Sequence, residues 1–122
     1  MSLPDAKARG LQGRILAMLG QPDDAIRLFE SAREDLIRVG AHLDAAVVDV
    51  ELADCYLWSS LRWRRVEDLA AEALGLLAPY PNMPEALAAL KLWHEAAAAR
   101  SLRETRRLIE RCRALLVKPG KA

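Results

Sequence analysis

Between Gly13 and Ala32 the chain reads Gly-x-x-Leu-x-x-x-Gly-x-x-x-x-Ala-Ile-x-x-Phe-x-x-Ala. Roughly forty residues later it returns to a looser form of the same phrase. Internal repetition constrains architecture before any single residue does. A unit of this length cannot bury its apolar face alone, so it must stack on a copy of itself. A stack of helical hairpins is, in turn, a surface suited to holding another molecule.

The residues between the repeats spell helix throughout. The 122 residues suffice for one domain with a modest core. Ala and Leu dominate the 52% hydrophobic content, Arg and Glu follow, and all four are strong helix formers. Pro4-Asp5 opens a first helix that runs to about Leu19, and Gly20 stops it. Pro22-Asp23-Asp24 opens a second, with Ala25, Leu28, Phe29, Ala32, Leu36 and Val39 at helical spacing before Gly40. A third is expected at about 42–58 and a fourth from Arg62 or Trp63 to Leu77, separated by Ser59-Ser60. The run Ala78-Pro79-Tyr80-Pro81-Asn82 cannot continue a helix. Pro84-Glu85 opens a fifth, and Ser101-x-x-Glu104 is a capping box that predicts a sixth, ended by Pro119-Gly120. The expectation is an all-α single domain over 1–122: three antiparallel hairpins at about 4–40, 42–78 and 83–118.

These residues resemble the tetratricopeptide repeat. Gly13 takes that family's small position, Leu16 the large one and Gly20 the turn. Ala25, Phe29 and Ala32 take the second-helix signature. Leu52-Ala53, Tyr56, Val66, Ala70 and Ala73 match more loosely. Thr105, Ile109 and Cys112 keep only the spacing, with Trp93 where a small residue is expected. The resemblance implies a right-handed stack of hairpins whose groove is lined by the first helix of each, and binding of peptides or protein segments rather than catalysis. Carried over from Gly13, Ala53 and Trp93, it places Arg14, Met18, Val50, Asp54, Trp58, Leu90 and His94 in the groove. Arg14 is the one cation there, so a clamp for a peptide carboxylate is not expected. An apolar floor with few charges suits an amphipathic segment.

Charge divides the chain. Residues 1–99 carry 10 basic and 15 acidic side chains, and residues 100–122 carry 8 and 2. Arg100, Arg103, Arg107 and Arg111 share one side of the last helix and form a basic patch. With the Arg62-Trp63-Arg64-Arg65 turn they define an alternative reading, a nucleic-acid-binding helical domain. A homodimer is a further expectation, in which the acidic third helix (Asp44, Asp49, Glu51, Asp54) meets the basic helix of a second copy.

Several chemistries lack their residues. His94-Glu95 is not followed by the second His of a zinc helix, and Gly10-x-x-Gly13 follows no strand, so neither a metal site nor a phosphate loop is expected. No catalytic residue or cofactor is expected. Cys55 and Cys112 lie in apolar helical patterns and read as buried thiols. No apolar run reaches the roughly 18–20 residues of a membrane span, and no signal-peptide pattern opens the chain. The expectation is a cytoplasmic, non-enzymatic protein-interaction module, bacterial in its Ala/Arg/Leu bias and part of a larger regulator or scaffold.

Overall fold

The computed structural model describes residues 2–59, 62–80 and 82–117, excepting the side chains of Thr105 and 115–117. Five helices follow one another: α1 (Leu3–Met18), α2 (Pro22–Arg38), α3 (His42–Ser59), α4 (Trp63–Leu76) and α5 (Pro84–Val117). There is no strand among the described residues.

The first two turns obey the glycine signals. Gly20 and Gly40 adopt φ of 75° and 78°, the left-handed region that a Cβ disfavours. At each, the glycine N–H donates to the carbonyl three residues back (Ala17, Ile37) and the next N–H to the carbonyl five back (Leu16, Leu36). This is the Schellman closure of a helix end. The connections are short enough that α1 packs on α2, and α3 on α4, as antiparallel neighbours.

The α1–α2 contact depends on the absence of a side chain at position 13. A Cβ built on Gly13 would lie 2.9 Å from two ring carbons of Phe29, which is itself 1% exposed. Small residues bring the other helices together. Ala25, Ala32, Ala45, Ala46, Ala53, Ala70, Ala73, Ala89 and Ala96 are fully buried. Leu36, Leu52, Val66 and Leu69 fill the space between, and the main core cluster draws on all five helices.

The chief departure from expectation is at the C-terminal end. The expected fifth and sixth helices are one helix of 34 residues, and Ser101 lies in its middle. The capping box therefore starts nothing, and the third hairpin does not form. No Gly or Pro interrupts residues 85–117, and Ala, Leu, Arg and Glu all favour continuing the helix, so local propensity outweighs one cap. The expected stop at Pro119-Gly120 lies outside the described residues, as does Ser60 of the second turn. Leu102, Leu108, Ile109 and Cys112 are exposed rather than packed, which corrects the reading of Cys112 as buried. No described helix is long and apolar enough to cross a membrane.

Candidate functional site

The first helices of the two hairpins and α5 share one face of the molecule, and two clefts run between them. Lys7, Leu11 and Arg14 of α1 and Val47 and Glu51 of α3 line a cleft of about 220 Å³. Val50, Asp54 and Trp58 of α3 face Lys91 and Glu95 of α5 across another of about 360 Å³. Glu51 belongs to both, so the two clefts meet there.

The groove residues expected from the sequence divide into three groups. Val50, Asp54 and Trp58 come together on the wall of the second cleft. The Trp58 ring is 80% exposed and its Nε1–H donates to Asp54 Oδ1 at 3.1 Å, which holds the indole along α3. Arg14 lines the first cleft but is not free. Its Nε and Nη2 donate to Glu51 Oε1 at 3.0 and 2.5 Å, and this hydrogen bond raises its already high pKa. Met18 is 80% exposed at the end of α1, beyond the cleft lining.

Leu90 and His94 are exposed but line neither cleft; Ala88, Lys91, Leu92 and Glu95 stand where they were expected. The register on α5 is displaced because Trp93 is too large for the small position assigned to it. Ala89 and Ala96 occupy the buried positions instead, and Trp93 turns outward with its ring edge against His94 (5.3 Å between centroids, 74°).

The basic residues also divide. Arg100, Arg103 and Arg107 line a cleft of about 270 Å³ with Trp63, Arg64 and Glu104; Arg111 is not among its lining residues. Arg100 is tied to Glu67, with Nε 2.9 Å from one carboxylate oxygen and Nη2 3.0 Å from the other. Arg64, Arg103 and Arg107 have no ion-pair partner among the described residues. The Arg62–Arg65 turn is partly used internally: Arg62 stacks over the Tyr56 ring at 5.2 Å, and Arg65 donates to Glu30 at 2.5 Å. The acidic face expected on α3 is likewise engaged. Asp44 pairs with Lys7, Glu51 with Arg14 and Asp49 with Arg33, while Asp54 accepts from Trp58 Nε1–H, so three of the four acids expected to meet a second copy are ion-paired within the chain.

A polar cluster that sequence reasoning missed lies between α2, α3 and α4. Arg33 Nε reaches Asp49 at 3.0 Å, and its Nε and Nη2 reach Glu72 at 2.9 and 2.6 Å. Tyr56 donates its hydroxyl to Glu30 at 2.8 Å. Asp49 is fully buried, and its Oδ2 has no donor in reach. Burial, together with the Glu72 charge and hydrogen bond, pushes Asp49 up to about 8. Glu72, despite its own burial, is held below the usual range by Arg33 and Asp49. The one sequence signal was an aspartate set among Val47, Val48 and Val50.

Burial raises the Cys55 thiol to about 11, which leaves it unreactive. Among the described residues no group of three or more His, Cys, Asp or Glu is placed to hold a metal ion. Comparison with protein-family models, with curated proteins and with solved structures yields no match to the chain.

Proposed function

We propose that this chain is a non-enzymatic protein-interaction module related to the tetratricopeptide repeat. In this reading it holds an amphipathic segment of a partner protein along α1, α3 and α5, as part of a larger cytoplasmic regulator or scaffold of bacterial type. The observation that carries the reading is the pair of clefts joined at Glu51, with Leu11 on one wall and the exposed Trp58 on the other. A large exposed indole beside an apolar floor is the kind of anchor that dominates binding energy at interfaces. Lys91, Glu95 and Asp54 supply charges of both signs at the rim. The close approach at Gly13 and the burial of Ala25, Phe29 and Ala32 support the resemblance in the first hairpin.

The test is selection of helical peptides from a displayed library, followed by titration against variants. Trp58→Ala is expected to weaken selected peptides by about tenfold or more, whereas Ile37→Ser on α2, outside both clefts, leaves them unaffected. Peptides bound equally well by Trp58→Ala would defeat the reading.

The cleft between Trp63 and the unpaired Arg64, Arg103 and Arg107 supports a second reading, nucleic-acid binding. It demands a steep fall of affinity with salt. It is lost if exchange of Arg103, Arg107 and Arg111 for Glu leaves all binding intact.

A further inference from the structure

Three arginines stand unpaired around one cleft. Arg64 lies in the first turn of α4, and Arg103 and Arg107 are one turn, about 6 Å, apart on α5. All three line the cleft of about 270 Å³ beside Trp63, and none has an ion-pair partner among the described residues. The one carboxylate on that lining is Glu104, which lies 3.6 Å from Arg100, itself bound to Glu67. The start of α4 adds to the imbalance. Its first turn holds no acid and no side chain caps it, so the positive end of the helix is not offset. A cleft walled by charges of one sign concentrates the opposite ion.

The extent of the cleft selects the kind of anion. The arginines of α5 do not continue as a track, because Arg100 is tied to Glu67 and Arg111 lies off the lining. A nucleic-acid strand needs cations repeated along its path; here they come from two helices to one cleft. Its volume stands just under the range of about 300–1,000 Å³ usual for small-molecule sites, which leaves room for one ring system and one charged group. Guanidinium forks match phosphate oxygens two at a time. A phosphate monoester carries close to two negative charges at about pH 7 and suits several guanidiniums better than a singly charged diester. Trp63 supplies the apolar surface. It is half-buried and packed against the main core, which fixes it at the cleft wall, and an indole is a platform for a nucleobase.

We propose that this cleft binds a free nucleotide, its terminal phosphate held by Arg64, Arg103 and Arg107 and its base set against Trp63. Bound there, the ligand bridges α4 and α5. The site is separate from the two clefts assigned to a partner segment and does not depend on that function. It departs from the nucleic-acid reading in taking a single nucleotide with a terminal phosphate rather than a strand.

Isothermal titration of the full chain at constant ionic strength tests it, with AMP and GMP as probes. Binding is expected, with adenosine and ribose 5-phosphate, which each lack half of the ligand, bound about tenfold or more weakly than AMP. Affinity for AMP should fall about tenfold from about pH 7.5 to about pH 5, as the monoester takes up its second proton. Arg103→Gln with Arg107→Gln is expected to abolish binding with unchanged helical circular dichroism, since both positions are exposed. Arg106→Gln with Arg113→Gln removes the same charge from the same helix outside the cleft and is expected to leave the affinity unchanged. The proposal is overturned if neither nucleotide binds at about 1 mM, or if the two double variants weaken binding equally. A short oligo(dA) with no terminal phosphate that binds more tightly than AMP, and keeps its affinity at about pH 5, would mean a strand site and overturns it too. So would preference for a phosphotyrosine peptide over both nucleotides, which would assign the cleft to a protein.

Discussion

Replacing Gly13 by Ala tests whether the repeat phrase acts through sterics, and Gly10→Ala supplies its control on the same helix. Both glycines are buried in α1, so both exchanges carry the same gain in helix propensity, about 0.8–1 kcal/mol. They differ in what the new methyl group meets. At position 10 it touches Val48 Cγ2 at 3.5 Å, an ordinary contact. At position 13 it falls 2.9 Å from Phe29 Cδ1 and Cε1 and 3.3 Å from Cγ, where unstrained carbons stand at about 3.5–4.0 Å. The Phe29 ring is enclosed by the core and has no solvent to retreat into. Overpacking of this kind costs about 1–3 kcal/mol. Gly10→Ala is therefore expected to stabilise by up to about 1 kcal/mol, and Gly13→Ala to destabilise by up to about 2 kcal/mol. The difference between them, about 1–3 kcal/mol, isolates the clash. Urea unfolding at a single protein concentration measures it, and thermal melts should separate by about 4 °C per kcal/mol. If the two variants agree within about 0.5 kcal/mol, α1 does not approach α2 through Gly13.

The polar cluster makes a pH prediction. Because Asp49 holds its proton more tightly folded than unfolded, its contribution is fully present below its unfolded pKa and is lost as pH rises toward about 8. The stability of the native protein relative to Asp49→Asn should therefore fall from about pH 4 to about pH 8 in urea titrations; a rise would invert the assignment. Arg33→Met leaves the two carboxyl groups without their cation and should cost about 3–5 kcal/mol. Adding Glu72→Gln should recover much of that loss. Gly40→Ala meets no atom within 4 Å, so its cost is backbone strain alone, about 1–2 kcal/mol in chemical denaturation. Cys55 should react with a thiol reagent only at the rate of global unfolding, in contrast to any fast reaction at Cys112.

The first four helices were legible because their signals are local. Glycine at positions 20 and 40 and proline at 22 act on the backbone within one turn, and the apolar spacing of Ala25, Phe29 and Ala32 specifies which side is buried. The α3 wall of the candidate site was legible for the same reason, since Val50, Asp54 and Trp58 are four residues apart on one helix. The α5 wall was not. Its rotation about the helix axis depends on which small residue meets α4, and Trp93 interrupted the pattern that would have shown it. The Arg33–Asp49–Glu72 cluster was illegible because it joins residues up to 39 apart on three helices, none of them unusual on its own.

From its sequence alone, then, this chain is all helical, with stops at Gly20 and Gly40 and a first hairpin closed over Gly13. These properties rest on backbone sterics and short-range spacing, which neighbours in the chain suffice to determine. Tertiary structure decided the rest. It turned Leu90 and His94 away from the cleft and engaged Arg14 with Glu51. Those outcomes depend on competition between contacts distant in sequence.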